Sequence, residues 1–260
     1  MRSLRFVVFA AVAVATALPS AAPQFWRAAT MADFLKGDLD RVSVDEQGRL
    51  SLGPAITQVF DTGAPFVWTA ATASDGTTYL GTGNDGKVFK VDASGKGALF
   101  YDAPELEVHA VLPTSDGGLY VATSPDGRVY KVDRAGAAQP FFDPEEKYIW
   151  ALALDESGRL YVATGESKGR VYRVSAGGTG EAIYTATAAH VVSMAFDASK
   201  RLVVGTEGPG RVIRLDADGK PFLLLDTSLQ EVRALRLDPK GRLYVVAQAK
   251  RTGGGETGEA

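Results

Sequence analysis

Residues 158–174 read Gly-Arg-Leu-Tyr-Val-Ala-Thr-Gly-Glu-Ser-Lys-Gly-Arg-Val-Tyr-Arg-Val, two short apolar runs separated by a glycine-bounded turn. Runs of about five residues rich in valine and tyrosine, bounded by glycine, are typical of β-strands joined in a hairpin. Residues 119–132 have the same order of run, turn and run, and Leu119 precedes Leu160 by 41 residues. The spacing predicts a repeated hairpin.

Four kinds of apolar segment recur in a fixed order, each stepping by 41 or 42 residues. The first begins at Phe66, Glu107, Tyr148, His190 and Glu231, and the second at Thr78, Leu119, Leu160, Leu202 and Leu243. The third begins at Gly86, Gly127, Gly169 and Gly210, and the fourth ends at Asp102, Asp143, Thr185 and Asp226. Four strands per repeat of about 41 residues are the unit of a β-propeller blade, so we predict an all-β propeller.

The repeat gives four full blades over residues 66–230 and two half-blades at its ends. Residues 231–249 supply only the first two strands of a blade, and Asp40–Val44 and Pro54–Asp61 are predicted as two strands before the first blade. Asp61 lies in the column where fourth strands end. If the half-blades complete each other, a five-bladed ring closes without an exposed edge strand. The alternative is that the chain is the front part of a longer propeller protein.

The motifs at residues 158–164 and 127–132 resemble the propellers of the NHL, SMP-30 and two-component-regulator type, which also have WD40-like four-stranded blades. The resemblance covers residues 42–249. It implies a propeller architecture. It does not select an activity, because propellers of this kind include binding modules, lactonases and lyases.

The N-terminal 22 residues have the three-part layout of a secretory signal peptide. A short cationic start is followed by an apolar run over residues 6–18 and by the small-residue stretch 19–22. The apolar run is shorter than the about 20 residues that a spanning helix needs, and an uncleaved membrane anchor is the alternative. We therefore expect an exported protein, periplasmic or secreted, with no integral membrane span after cleavage.

The rest of the chain divides into three parts in the sequence. Residues 23–40 form a lead-in in which Thr30 is placed to cap a short helix. Residues 41–249 form the propeller, and residues 250–260 form a flexible glycine-rich tail.

Composition excludes several classes of protein. With 45% apolar and 23% charged residues, the 260-residue chain has the composition of a globular protein. The absence of cysteine excludes disulfides, thiolate metal sites and a cysteine nucleophile. A net charge of −3 argues against a generally basic nucleic-acid binder, so we expect no nucleic-acid partner.

One column of the innermost strand combines residues of different chemistry at one radius of the propeller. We predict that it forms a ligand-binding site at the channel mouth, and its members are Trp68, His109, Trp150, Val192 and Arg233. The alternative is that Trp68 and Trp150 belong to the core between blades. A polar rim on the same face, which alternatively consists of solvated turns, comprises Asn84, Asp85, Asp126, Glu166, Lys168 and Glu207.

Two motifs that resemble cofactor or metal sites are interpreted as turns. Residues 81–86 match G-x-G-x-x-G, but a strand follows instead of the helix that holds a pyrophosphate. Residues 216–219 resemble half of a calcium loop that lacks the required glutamate. We therefore expect no cofactor, no metal and no catalytic constellation.

These observations predict a non-enzymatic binding or interaction module that recognises a peptide, glycan or protein partner on its loop face. The alternative is an SMP-30-like lactonase or a propeller lyase that acts in the central channel. Lactonases of that type hold a divalent metal with Glu, Asn and Asp side chains, which the channel column lacks. A lyase would use His109 as general base and Arg233 to stabilise an oxyanion.

Overall fold

The computed structural model describes residues 27–249 of the chain. The predicted signal peptide, residues 1–22, and the predicted tail, residues 250–260, lie outside the described residues. The chain divides into two compact units, Met1–Thr57 and Gln58–Ala260. Among the described residues, no helix has the length and apolar character needed to cross a bilayer.

Within residues 27–57, the first unit contains one short helix and one hairpin. Helix α1 (Met31–Phe34) follows Thr30, whose hydroxyl accepts the backbone N–H of Asp33 at 3.2 Å. The carboxylate of Asp33 in turn accepts the backbone N–H of Thr30 at 3.3 Å, which completes a capping box. Strands β1 (Val42–Val44) and β2 (Leu50–Leu52) pair antiparallel.

The prediction of a strand over Pro54–Asp61 is wrong, because residues 53–64 form no strand. The partner of β1 is instead β2, and the tight turn between them decides this pairing. Asp45 accepts the backbone N–H groups of Gln47 and Arg49 at 3.0 and 2.9 Å, and Gly48 adopts the left-handed φ of 75° that the turn requires. A proline at position 54 also removes a backbone donor that a ladder would use.

The described strands of the second unit form four blades and one half-blade. Blade I contains β3 (Phe66–Thr72), β4 (Thr78–Gly83), β5 (Lys87–Val91) and β6 (Gly97–Asp102). Blade II contains β7 (Glu107–Pro113), β8 (Leu119–Ser124), β9 (Val129–Val132) and β10 (Ala138–Phe142). Blade III contains β11 (Tyr148–Leu154), β12 (Leu160–Gly165), β13 (Arg170–Val174) and β14 (Gly180–Thr185).

Blade IV contains β15 (His190–Phe196), β16 (Leu202–Glu207), β17 (Arg211–Leu215) and β18 (Pro221–Asp226). The half-blade contains β19 (Glu231–Leu237) and β20 (Leu243–Gln248). Within each blade the strands pair antiparallel in chain order. The predicted all-β propeller repeat of four-stranded blades is confirmed. The G-x-G-x-x-G match spans the end of β4 and the turn that leads to β5.

The core lies between successive blades. Val108, on the innermost strand of blade II, is fully buried against the second strand of blade I. A Cβ at Gly81 would lie 2.6 Å from Cγ1 of Val108, so this position requires glycine. The corresponding position of later blades is occupied by Ala122, Ala163 and Gly205, and small residues there allow the blades to approach closely.

A buried glutamate joins blades II and III. Glu146 accepts hydrogen bonds from the guanidinium of Arg170 and from the hydroxyl of Tyr172, the latter at 3.3 Å. The equivalent glutamate at the preceding boundary, Glu105, accepts the hydroxyl of Tyr130 at 2.8 Å. These bonds join side chains of neighbouring blades and give the two tyrosine hydroxyls an acceptor, although Oε2 of Glu105 is buried with no hydrogen-bond partner among the described residues.

The first blade and the half-blade each present an uncovered face. Val67 is 48% exposed, whereas its equivalent Val108 is fully buried. Tyr244 is 52% exposed, whereas its equivalent Tyr120 is 8% exposed. The described strands of this unit therefore form an open arc. The closed five-bladed ring and the longer propeller both stay predictions.

The residues just before blade I occupy a fourth-strand position although they form no strand. The ring of Phe60 lies 5.8 Å from that of Phe89, as the ring of Phe142 lies 5.5 Å from that of Tyr172. Phe60 also covers Gly97. The alignment of Asp61 with Asp102, at the position where fourth strands end, therefore describes the placement of these residues.

Candidate functional site

A β-bulge occurs at the same place in all five innermost strands. In β3, Val67 pairs with Thr82 and Thr69 with Gly81, so that Trp68 between them has no partner in the ladder. The same shift leaves one unpaired residue in each of the other innermost strands, and these residues are His109, Trp150, Val192 and Arg233. Because a bulge reorients a side chain and bends its strand, it explains why this column departs from simple alternation.

The bulged column lines one channel of about 400 Å³, bounded by the innermost strands. All five residues predicted for the channel mouth belong to its lining: Trp68, His109, Trp150, Val192 and Arg233. Leu152 and Met194 line the channel as well. Trp68 and Trp150 therefore line the channel, and each also contacts an aromatic ring of the next blade, Trp68 that of His109 and Trp150 that of His190.

An aromatic row runs around the mouth of the channel. The ring of Trp68 stacks on Phe66, with centroids 5.2 Å apart, and lies 5.7 Å from the ring of His109. His109 in turn lies 4.7 Å from Trp150, which stacks on Tyr148 at 5.4 Å. These separations are those of interacting rings. The five rings therefore form a continuous surface that spans blades I to III.

Sequence reasoning missed the residues that begin the innermost strands. They lie two positions before the bulged column, beside it at the mouth, and comprise Phe66, Glu107, Tyr148, His190 and Glu231. Their position could have identified them, because residues two apart on a strand point to the same face as the predicted column. Glu107 and Glu231 provide the carboxylates nearest to this column.

His109 forms a pair with Glu107. Its Nε2 lies 2.7 Å from Oε2 of Glu107, on the same strand. Burial lowers the pKa of His109 below its usual 6.5, the Glu107 carboxylate opposes this shift, and the positive charge of Arg233 adds to it. The imidazole is therefore neutral at neutral pH. Bonding of Nε2–H to the carboxylate leaves Nδ1 as the acceptor nitrogen.

The cationic side of the channel comes from the half-blade. Arg233 donates Nη1 to Glu231 at 3.2 Å, and Glu231 also accepts the side-chain amide of Gln248. Arg236, three residues further along the same strand, donates Nη1 to the carbonyl of Leu235 at 2.8 Å and lines the channel. Both arginines thus line the same cavity as Trp68, His109 and Trp150.

The predicted rim residues lie mostly in turns between second and third strands. Asn84 and Asp126 are exposed and have left-handed φ values of 68° and 59°, which these residue types tolerate. Asp85 accepts the hydroxyl of Thr82 at 2.5 Å and lies 3.3 Å from the Lys87 ammonium.

The remaining rim residues belong to blades III and IV. Glu166 forms an exposed ion pair with Lys147 at 3.7 Å, and Lys168 is exposed. Glu207 differs from them, because it ends β16 opposite both His190 and Glu231. The structure therefore brings Glu207 next to the mouth and leaves the others on turns.

The donor set of the site does not fit a divalent metal. Within residues 27–249, no three His, Asp or Glu side chains converge as ligands. Of the carboxylates at the mouth, Glu107 is engaged by His109 and Glu231 by Arg233.

Comparison with known proteins supports the fold. No protein-family model and no curated protein matches the chain. Among solved structures, virginiamycin B lyase from Staphylococcus aureus superposes with a TM-score of 0.63 at 14% identity, over 79% of this chain and 70% of the lyase. A nidogen/laminin complex matches with a TM-score of 0.63 at 15% identity, over 79% of this chain and 80% of that chain.

A calcium-binding regucalcin from Agrobacterium tumefaciens matches with a TM-score of 0.59 at 19% identity, over 79% of this chain and 73% of that chain. At such identities the likeness concerns the fold alone. The chain is a β-propeller repeat protein, and its fold is one that lyases, lactonases and protein-binding modules share.

Proposed function

We propose that the protein is an exported, non-enzymatic binding module that recognises a peptide, glycan or protein partner at the mouth of its channel. The aromatic row from Phe66 to Tyr148 carries this proposal. Phe66 and Trp68 are 47% and 38% exposed although they are large apolar side chains. Exposed, mutually stacked rings offer a flat surface for a sugar ring or for an apolar peptide side chain.

The two arginines of the half-blade add an electrostatic preference. Arg233 and Arg236 line the channel that the aromatic row opens into. A guanidinium at a partly enclosed site pairs well with a carboxylate or another planar anion. The ligand we propose therefore places a flat apolar face on Trp68 and an anionic group towards these two residues.

The pairing of the mouth residues favours binding over catalysis. A catalytic group must reach substrate with a free proton or lone pair. Glu231 has both carboxylate oxygens engaged, one by Arg233 and the other by Gln248. Such satisfied pairs hold side chains in fixed positions, which is a property of a preformed binding surface.

Intrinsic tryptophan fluorescence tests the proposal directly, because Trp68 and Trp150 both line the channel. The purified full chain is screened on glycan and peptide arrays, and each hit is titrated while emission is recorded. We expect saturable changes in emission, with affinity reduced at least tenfold by Trp68→Ala. Leu99→Ala removes an exposed side chain from the outermost strand of blade I and is the matched control.

Two results would contradict a binding module at the mouth. One is an absence of binding on both arrays. The other is a ligand whose affinity changes equally with Trp68→Ala and Leu99→Ala, because the aromatic row then takes no part in recognition.

A second candidate function is a lyase, and the pair of His109 and Glu107 is the observation that favours it. A neutral imidazole fixed by a carboxylate is the arrangement of a general base, and Arg233 borders the same channel to stabilise a developing oxyanion. Such an enzyme would remove a proton next to a carbonyl and expel a leaving group. Turnover that survives His109→Ala would dismiss this candidate.

Export rests on the first 22 residues and has its own test. After expression in a bacterial host, we expect the mature protein to begin between residues 18 and 23. Intact-mass measurement of the periplasmic and cytoplasmic fractions checks this expectation. A full-length mass that begins at Met1 and is found only in the cytoplasm would contradict export.

A further inference from the structure

A second cavity, of about 630 Å³, lies at the boundary between blades III and IV, at the end of the strands opposite the mouth. The last residues of the innermost strands β11 and β15 line it, whereas the first residues of the same strands form the mouth. We call it the back cavity, and its lining includes Leu154, Tyr161, Ile183, Phe196, Lys200 and Leu215. All eight strands of these two blades are described, so the walls do not depend on whether the ring closes or the propeller continues.

The floor of the back cavity is apolar. Tyr161 and Leu215 are buried there, and Ile183 lies beside them. The ring of Phe196 meets the ring of Tyr161 edge-on, with centroids 5.3 Å apart. A concave space with aromatic and aliphatic walls and a few polar groups at its edge is the usual form of a small-molecule site.

Blades I and II show which group packs at the equivalent place. Each fourth strand has one bulged residue without a partner in the ladder, and in blades I and II this residue is a phenylalanine. The ring of Phe100 in blade I lies 5.3 Å from the ring of Tyr79, and the same pair in blade II is 5.1 Å apart. Blade III keeps the tyrosine as Tyr161, but its bulged residue is Ile183. An aliphatic side chain thus replaces the aromatic one beside the back cavity.

The cation beside this tyrosine also changes in blade III. In blade I, the ammonium of Lys90 lies 5.9 Å from the ring centre of Tyr79. The equivalent residue in blade III is Arg173, which donates Nε to Glu181 of its own blade at 2.9 Å. The two groups that pack on the tyrosine of blade I, a phenylalanine ring and an ammonium, are therefore both replaced beside Tyr161.

A lysine with an unfavourable backbone conformation borders the back cavity. The turn between first and second strands has a glycine at one fixed position in blades I to III and in the half-blade, with φ values of 78–85°. In blade IV this residue is Lys200, with a φ of 63°. Glycine adopts such values without steric cost, whereas a residue with a Cβ does not. An ammonium therefore stands beside the cavity at a position where glycine would suit the backbone better.

The partner of Lys200 is more exposed than those of the arginines around the cavity. Arg159 and Arg201 each donate Nε to a mostly buried aspartate of their own turn, at 2.7 and 2.8 Å. Lys200 pairs instead with Glu156 on the turn of the other blade, and these two side chains are 61% and 72% exposed. Asp216 accepts two backbone N–H groups of its own turn. Because an exposed ion pair contributes little, the ammonium of Lys200 can exchange Glu156 for a ligand.

We propose that the back cavity binds a small aromatic carboxylate. The aromatic ring packs beside Tyr161, at the place that a phenylalanine ring occupies in blades I and II. The carboxylate pairs with the ammonium of Lys200, and such a charge-assisted bond fixes the orientation of the ring. This site lies at the other end of the strands from the mouth, and the proposal does not rest on the function of the mouth.

Naphthoate is a suitable probe, because it combines a flat aromatic ring system with one carboxylate. It is titrated into the purified full chain by isothermal calorimetry. We expect a single saturable site whose affinity Lys200→Gly reduces at least tenfold. Lys200→Gly restores the residue that the other turns carry, so its melting temperature should equal or exceed that of the unchanged chain. Lys200→Arg keeps the positive charge and is expected to retain binding.

A second variant fills the apolar part of the cavity. Ile183→Phe introduces the ring that blades I and II carry at this position, and it is expected to weaken naphthoate binding at least tenfold while the protein stays folded. Leu99→Phe adds a ring to an exposed position on the fourth strand of blade I and is the matched control. It is expected to bind naphthoate as the unchanged chain does.

Analogues of the probe test the charge of the ligand. Naphthamide is neutral and naphthylmethylamine is cationic, and both are expected to bind at least tenfold more weakly than naphthoate. The proposal is overturned if the unchanged chain binds no naphthoate, or if the amine binds more tightly. It is also overturned if either Lys200→Gly or Ile183→Phe binds naphthoate as the unchanged chain does. Binding that Trp68→Ala abolishes and Ile183→Phe leaves intact would place the probe in the channel and would overturn it as well.

Discussion

Trp150 donates its indole Nε1–H to Nδ1 of His190 at 3.0 Å, across the boundary between blades III and IV. Because Nδ1 accepts this bond, the neutral His190 ring carries its proton on Nε2. The two rings are also in edge contact, with centroids 5.5 Å apart. The bond thus links the bulged column of one blade to the first residue of the next and orients both rings at the mouth.

Replacing Trp150 by Phe tests this link. Trp150→Phe keeps a ring and removes the donor, so we expect a loss of about 1 kcal/mol in the free energy of unfolding. Trp68→Phe is the control, because Trp68 contributes ring stacking. Urea denaturation of both variants measures the difference. Equal losses would show that the bond to His190 adds nothing beyond ring packing.

The buried glutamate between blades II and III is expected to matter more than a surface pair. Glu146→Ala leaves the Tyr172 hydroxyl and the Arg170 guanidinium without their acceptor, at a cost of about 3 kcal/mol. Glu181→Ala removes an exposed carboxylate that pairs with Arg173 and is expected to cost less than about 0.5 kcal/mol. Denaturation midpoints compare the two. If Glu146→Ala were as stable as Glu181→Ala, the buried glutamate would contribute no more to stability than the exposed one.

The stability of the protein is expected to fall on mild acidification because of His109. Burial keeps the pKa of His109 below 6.5 in the folded chain, so the unfolded chain binds this proton first as the pH falls. The free energy of unfolding should therefore decrease from about pH 7.5 towards about pH 5.5, above the range where carboxyl groups titrate.

His109→Gln is expected to flatten this dependence. Chemical denaturation across the same pH range measures the slope, which is compared between variants so that any constant loss of stability cancels. An unchanged slope in His109→Gln would show that folding does not lower the pKa of His109.

Two equivalent valines test whether the arc is open in solution. Val108→Thr puts a hydroxyl into a fully buried site and is expected to cost about 2 kcal/mol, whereas Val67→Thr, at a 48% exposed site, should change stability by less than about 0.5 kcal/mol. Thermal and urea denaturation measure both. Equal costs would show that Val67 is covered in solution, as it would be in a closed ring.

The strand order was predictable because the repeat preserves it. Leu119, Leu160 and Leu202 stand at the start of second strands as the 41-residue step requires. The turn at Asp45–Gly48 was missed because it lies outside that step, and a hairpin formed where two more distant strands were expected. Repetition therefore fixed the blades, whereas the segment before them depended on local turn chemistry.

The candidate site was predictable as a column but not in its surroundings. Trp68 and Trp150 fall in register with each other, and the channel brings them together. The bulge that reorients them cannot be recognised in the sequence of one strand, because the extra residue is defined only by the pairing with the neighbouring strand. The bond from Trp150 to His190 spans 40 residues and depends on how two blades face each other, which pattern reasoning does not reach.

The uncovered half-blade also bears on how the protein unfolds. In a stack of repeats, each unit is stabilised by itself and by the neighbours that it touches, so a terminal unit with one packed face is the least stable. Strands β19 and β20 should accordingly open before blades II and III, which are packed on both sides, and lose amide protection first. Covering the exposed face of β20, where Tyr244 is half exposed, would then raise the cooperativity of unfolding as well as the stability, because the last unit would melt together with the rest.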